Sequence, residues 1–420
     1  MGLSGAGRRP RDLAATANLL GRLWLIAAAA SLALPARDRL GIWLPLHLAL
    51  AGAVTTTISG NMQMFASTLT ATRSASPRVG NGQLLLVNVG ALLVALGLPT
   101  SHSILVLAGG CAFGLGVLVL GAIVRSAMRR ALNRRHVLPL ILYLAAVGCA
   151  LLGVTIGAVL GSGAVHDAGV YLALRRAHAT LNLLGFVSLT IAGTLLTLLP
   201  TVLRTRMVAR GAWTAGWLLG AGTGVLAAGF AVQATPIAVL GAITYAAGAL
   251  ALGRMAAVTV RAVLGRKGAP PAVTAAAHAV SALVWFCWGA IALVVVLLSG
   301  GDIDSFLPLA LVIFALGWTV QMLLGAWSYL IPSAAPGGPQ ERRVYFAVMD
   351  AGGLVQASVF NLGLALVALR AAGVVGPTGG TAGMWAALFA GAVAVGRTWL
   401  FRPVARSGWA MRRAAHIFGG

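Results

Sequence analysis

Long apolar runs separated by short polar stretches make up almost the whole chain. The apolar runs of spanning length cover residues 13–35, 41–68, 82–99, 103–126, 137–162, 174–200, 211–230, 234–260, 272–299, 306–332, 344–369 and 379–401. An α-helix rises about 1.5 Å per residue, so about twenty residues cross a hydrocarbon core. The pattern predicts an all-α polytopic membrane protein of about twelve transmembrane helices.

The composition agrees with this prediction and adds a location. Of the 420 residues, 59% are hydrophobic and only 9% are charged, whereas a soluble domain needs far more charge to cover its surface. Lys267 is the single lysine among many Arg, Ala and Gly, which is typical of a GC-rich bacterial genome. We therefore expect the chain in a bacterial cytoplasmic membrane, in contact with membrane lipids.

The net charge of +23 is distributed in short basic clusters between the apolar runs. One such cluster contains Arg125, Arg129, Arg130, Arg134 and Arg135. Twenty-four of the 30 Lys and Arg residues lie at the two ends of the chain and in the even-numbered loops. Positively charged loops stay on the cytoplasmic side, so both termini are predicted to be cytoplasmic. Clusters of this kind contact anionic lipid, and we expect no nucleic-acid partner.

A pair of glycines recurs in the second, sixth and tenth runs. The pairs share one spacing and follow each other at offsets of 133 and 132 residues: Gly52 and Gly60, Gly185 and Gly193, Gly317 and Gly325. Common glycines that only let helices pack closely would not repeat at equal offsets. We therefore predict a single transmembrane bundle of three four-helix pseudo-repeats, at about 10–136, 137–268 and 269–420.

One segment carries a family resemblance. It is HATLNLLGFVSLTIAGTLLTLLPTVLRTRM at 178–207, supported by LHLALAGAVTTTISGNMQMF at 46–65 and QMLLGAWSYLIP at 321–332. With the twelve-helix layout, these segments resemble subunit I of the haem-copper oxidases. The resemblance is closer to non-oxidase relatives, namely NnrS-like proteins linked to nitric-oxide metabolism and uncharacterised actinobacterial membrane proteins. It implies a haem-binding protein of nitric-oxide or copper-linked redox metabolism, with a redox partner protein.

The chain departs from the oxidases at their copper site. Oxidases have a His-Pro-Glu-Val-Tyr-type segment on helix six, a histidine pair on helix seven and paired haem histidines on helix ten. Here Ala179 and Thr180 follow His178, and the seventh and tenth runs contain no histidine. We therefore expect no oxygen-reductase activity and no haem–copper centre, and we assign no catalytic residue.

Three histidines, His47, His178 and His278, lie inside apolar runs. An ionisable group in hydrocarbon is costly, so each is a functional candidate. His47 lies about 9 Å below the outer end of helix two, among apolar residues of the same face. This setting suits an axial ligand of haem b, and the resemblance implies a haem ligand on this helix. The alternative is a histidine that is hydrogen-bonded to a neighbouring helix.

His178 lies near the outer end of the sixth run, and Asn182 lies one turn below it. Arg175 and Arg176 precede it and suit either haem propionates or lipid phosphates. We predict His47 and His178 as ligands of haem or of a metal, and Asn182 and Gln321 as further pocket residues. His278 begins from the inner end of its helix, so we expect it at a different depth.

Two further features have competing interpretations. Asp350 is the only acid within a run, and it is expected to pair with Arg342 or Arg343 or to belong to a proton path. Met62 and Met64 offer thioethers to Cu(I), although methionines on adjacent turns do not face each other. Copper is therefore the weaker cofactor candidate. Besides haem binding, the sequence leaves open a transporter of a small solute and a cofactor-free partner subunit of a redox enzyme.

Overall fold

The computed structural model describes residues 10–131, 136–206, 210–264 and 272–400. These residues form helices and connecting turns without a β-strand, which confirms the all-α prediction. Eleven helical segments in this part of the chain, with Pro339–Ala371 counted as one, are long and apolar enough to cross a membrane. The following basic residues lie outside the described residues: Arg8, Arg9, Arg134, Arg135, Arg266, Lys267, Arg402, Arg406, Arg412 and Arg413.

The helices follow one another with short connections. They are α1 (Pro10–Ser31), α2 (43–70), α3 (Pro77–Gly97), α4 (Ser103–Arg129), α5 (Val137–Gly161), α6 (Ala168–Val202), α7 (Ala212–Ala231), α8 (Thr235–Arg261), α9 (Val273–Leu298), α10 (Ile303–Ala334), α11 (Pro339–Asp350), α12 (Gly353–Ala371) and α13 (Pro377–Trp399).

Helix α2 is the predicted span that is missing from the eleven apolar helices. It is continuous from Trp43 to Thr70, but its second half carries many polar residues. Eight of them are buried inside the protein: Thr55, Thr56, Thr57, Ser59, Asn61, Gln63, Ser67 and Thr70. A helix whose polar face is covered by other helices can have a low mean hydropathy and still be embedded in a bundle.

Helices α2, α6 and α10 each contain a π-helical segment, at Leu48–Val54, Thr180–Val187 and Leu311–Val320. A π-helix changes the hydrogen-bonding register, so its carbonyls need other partners. In each case a hydroxyl donates to the carbonyl five residues earlier: Thr55 to Leu50 at 2.9 Å, Ser188 to Leu183 at 2.8 Å and Thr319 to Phe314 at 2.8 Å. The glycine pairs are visible in the sequence of these three helices, but the π-helical segments are not.

The glycine pairs lie where another helix packs closely. A Cβ built on the first glycine of each pair would lie 2.6–2.7 Å from a side chain of α1, α5 or α9: Trp24 for Gly52, Cys149 for Gly185 and Trp285 for Gly317. The second glycine of each pair packs against the same helix seven residues earlier, at Ala17, Leu142 and His278. At five of the six positions, all except Gly193, an added Cβ would lie under 3.0 Å from the neighbouring helix, so the spacing of the pairs reflects helix packing.

The chain divides into two compact units. The first contains residues 1–198, 207–258 and 286–307, and the second contains residues 199–206, 259–285 and 308–420. Within the first, α1 packs on α2, α3 on α4, α4 on α5, and α5 on α6. Within the second, α12 packs on α13, and the last part of α10 packs on α11 and α13.

Asp350 has a different role from the predicted ion pair with Arg342 or Arg343. Asp350 is the last residue of α11. The chain turns at Gly352, which has a φ of +64°, before α12 begins. The Asp350 carboxylate accepts a hydrogen bond from the backbone N–H of Thr274 at 2.8 Å, in the first turn of α9. A carboxylate at a helix N-terminus satisfies a free N–H and interacts favourably with the helix dipole. Asp350 therefore stabilises the start of α9.

Candidate functional site

His47 and His178 face each other within the first unit. Their ring centroids are 6.4 Å apart and their planes differ by 16°. His47 is the last residue of the α-helical turn before the π segment of α2, and His178 lies two residues before the π segment of α6. Both side chains are half-buried. The two candidate ligands of the sequence analysis thus lie close together.

The hydrogen bonds of the two imidazoles define their tautomers. The Nδ1 of His47 lies 2.8 Å from the Trp43 carbonyl, and the Nδ1 of His178 lies 2.7 Å from the Gly153 carbonyl on α5. A carbonyl oxygen only accepts, so Nδ1 carries the hydrogen in both rings. Each Nε2 therefore has a lone pair, which is the form in which histidine binds a metal.

Two glycines on α5 admit the His178 ring. A Cβ on Gly157 would lie 2.6 Å from Cε1 of His178, so any larger residue would push the imidazole away. Gly153 supplies the accepting carbonyl and lies against the Asn182 amide. Asn182 donates to the His178 carbonyl at 2.8 Å, and its amide nitrogen is 3.3 Å from Nδ1. Both nitrogens are donors, so they do not form a hydrogen bond with each other. Asn182 instead packs against the His178 ring and bonds to the His178 backbone carbonyl.

Trp43 is a part of this site that the sequence analysis did not identify. Its indole stacks on His47 with ring centroids 4.1 Å apart and an interplanar angle of 23°. Its carbonyl is also the acceptor for His47 Nδ1. The spacing of four residues in WLPLH at 43–47 places both side chains on one face of a helical turn, and this was the available signal.

Arg175 and Arg176, predicted to meet propionates or lipid phosphates, form ion pairs with α10. Arg175 Nη2 lies 2.6 Å from one carboxylate oxygen of Asp304, and Arg176 Nη2 lies 2.5 Å from the other. Asp302 is 4.0 Å from Arg176. A hydrogen bond from the Ser305 hydroxyl holds the pKa of the Asp302 carboxyl below its usual value. This cluster fixes the predicted outer end of α6, one turn from His178.

The other predicted residues lie elsewhere in the chain. Gln321 and His278 both belong to the second unit, and both are fully buried. His278 is hydrogen-bonded to Gln356 at 3.1 Å, whereas neither polar atom of the Gln321 side chain has a hydrogen-bond partner. Met62 is buried and Met64 is half-buried.

The described residues contain no group of three or more His, Cys, Asp or Glu side chains that could hold a metal ion. The first unit therefore offers a two-ligand site made by His47 and His178. No protein-family model and no curated protein matches the sequence. What the site can do chemically thus follows from its geometry.

Proposed function

We propose that the protein binds a b-type haem between His47 and His178 and takes part in one-electron redox chemistry in the membrane. The observation that carries this is the 6.4 Å between the two ring centroids. An imidazole nitrogen binds a metal at about 2.0–2.1 Å, and the ring centre lies about 1.1 Å further, so His47 and His178 would be close enough to hold one metal between them.

The hydrogen bonds of the imidazoles support the same proposal. Metal-binding histidines usually donate their second ring nitrogen to a carbonyl or carboxylate, which fixes the tautomer and the ring direction. His47 and His178 do this through Trp43 and Gly153. Trp43 also covers one face of the His47 ring. Both ligands are therefore held in a metal-binding form.

The number of ligands favours haem over a bare metal ion. Zinc sites generally use four ligands and catalytic zinc sites three from the protein, whereas this site offers two. A porphyrin brings its own nitrogen ligands for iron, so His47 and His178 would be sufficient to hold the haem, and the bound group would supply one-electron chemistry. The residues of the chain hold and orient it.

The presence of two histidines also indicates which redox role a bound haem would have. If both histidines held the haem iron, no position would be left at which a gas could bind, which favours electron transfer over gas binding. A redox partner protein is then required to exchange electrons with the site. The link to nitric-oxide or copper metabolism, and the place of the site near the periplasmic face of a bacterial membrane, rest on the resemblance to haem-copper-oxidase-like proteins and on the arginine distribution.

An optical spectrum tests this function. Protein purified from haem-supplemented cells should show a Soret band and, after reduction, the sharp α band of six-coordinate b-type haem. His47→Ala should remove or shift these bands, because one axial ligand is lost. His102→Ala is the matched control, since His102 lies in a connecting turn. Wild-type protein without a Soret band, at normal yield and fold, would refute haem binding.

A further inference from the structure

We propose that the second unit contains a separate binding site, built by Gln321 on α10 and His278 on α9. Its ligand is a small neutral molecule that both donates and accepts hydrogen bonds, of which water is the smallest. The site uses none of the residues of the proposed haem site, so either proposal can fail without the other.

Gln321 is the first observation. Its side chain is fully buried, yet neither Oε1 nor Nε2 has a hydrogen-bond partner. A buried amide without partners costs free energy, because it has given up its hydrogen bonds to water. Native proteins avoid this by supplying a partner, and bound molecules count among such partners.

The π segments of α2, α6 and α10 show why the Gln321 amide makes no hydrogen bond within its own helix. Gln321 is the first residue after the π segment of α10, the place held by Thr55 in α2 and Ser188 in α6. Those two hydroxyls bond to a carbonyl of their own π segment. In α10 that hydrogen bond comes from Thr319, two residues earlier. The Gln321 amide is thus not used by the backbone of the π segment, and it is open to another partner.

His278 provides the second observation. Its Nε2 is bonded to Gln356 Oε1 at 3.1 Å, while the Gln356 amide nitrogen donates to the Ala390 carbonyl at 2.9 Å. The amide oxygen must accept, so His278 Nε2 carries the hydrogen and Nδ1 has the lone pair. That Nδ1 is buried and has no hydrogen-bond partner.

Helix packing places the two residues on the facing sides of α10 and α9, about one helical turn apart. A Cβ on Gly325 would lie 2.9 Å from the His278 Cβ, and one on Gly317 would lie 2.6 Å from the Trp285 ring. Gln321 lies midway between these glycines, one turn or about 6 Å from Gly325 on the same side of the helix. It therefore lies on the face of α10 that covers α9, between Trp285 and His278.

The unpaired atoms define the ligand. The Gln321 amide provides a donor and an acceptor, and His278 Nδ1 provides a second acceptor. Neither side chain carries a charge in this tautomer. A buried water makes about three hydrogen bonds, which is the number offered here. A larger neutral molecule with an N–H or O–H beside an oxygen has the same chemistry.

A pair of thermal measurements tests the site. Gln321→Leu removes both polar atoms at nearly constant volume, and Met322→Leu is a matched control at the neighbouring buried position. With a bound molecule, Gln321→Leu should lower the Tm by roughly 2–4 °C more than the control does. A Tm above that of wild type would show that the amide has no partner and would refute the proposal.

A density map of the full-length protein at a resolution that shows ordered water provides the second test. Density in contact with Gln321 and His278, absent in Gln321→Leu, would support the site, and its size would distinguish water from a larger molecule. An empty space, or a direct protein partner for the Gln321 amide, would refute it. His278→Asn retains an acceptor at the Nδ1 position and should keep the density, whereas His278→Gln should lose it.

Discussion

His47 and His178 in the first unit donate their Nδ1 hydrogens to backbone carbonyls, whereas His278 in the second unit donates its Nε2 hydrogen to Gln356. The free nitrogen is therefore Nε2, at the tip of the ring, in the first two residues, and Nδ1, next to the backbone, in the third. A tip nitrogen can reach a metal between two helices. The hydrogen-bond partner of each histidine thus decides which of its ring nitrogens is open to a ligand.

The largest difference between the two units is expected when single imidazoles are removed. His178→Ala should abolish stable haem binding, because one of two protein ligands is lost, while His278→Ala should leave the haem content unchanged. Haem-to-protein ratio by absorbance and pyridine haemochrome measures both. Equal loss in the two variants would show that the histidines do not differ in the way that their tautomers indicate.

A second variant tests the position of the His178 ring. Gly157→Ala places a methyl group 2.6 Å from Cε1 of His178, so the imidazole must move. Overpacking of this kind typically costs about 1–3 kcal/mol, which predicts a roughly 5- to 150-fold weaker haem affinity. The matched control is Gly148→Ala on the same helix, where a Cβ would meet open space. Haem titration of apoprotein should show no change in the control.

A third variant tests the tautomer of His278. Gln356→Leu removes the acceptor for His278 Nε2 and leaves a buried donor unpaired, which costs about 1–3 kcal/mol. We expect a lower Tm with an unchanged haem spectrum. Gln340→Leu is the control, because Gln340 is exposed. A changed Soret band in Gln356→Leu would contradict the separation of the two sites.

The smallest effect is expected at the ion pairs of Asp304. Its side chain and those of Arg175 and Arg176 are 27–39% exposed, so water and salt screen their attraction. Asp304→Asn should destabilise the protein by about 1 kcal/mol or less, and the difference from wild type should shrink at high salt. Thermal unfolding at two ionic strengths checks this. A large loss that is insensitive to salt would indicate that the cluster has a structural role beyond ion pairing.

The sequence by itself determined the membrane class and the positions of the helices. Lipid offers no hydrogen bonds to the backbone, so long apolar runs must form helices, and the lengths of the runs place their ends. The glycine pairs were also visible, because close helix packing selects the smallest residue at fixed spacing. The sequence left an ion pair and a proton path open for Asp350 and did not indicate its observed partner, a backbone N–H 76 residues away.

The tertiary structure alone decided which histidines meet and which of their nitrogens is free. His47 and His178 are 131 residues apart, and the carbonyl that fixes the His178 tautomer belongs to another helix. The π segments and the unpaired amide of Gln321 likewise left no periodic pattern in the sequence. Helical periodicity reports which face of a helix is apolar, but the rotation of one helix against the next is set by side-chain packing across the whole unit.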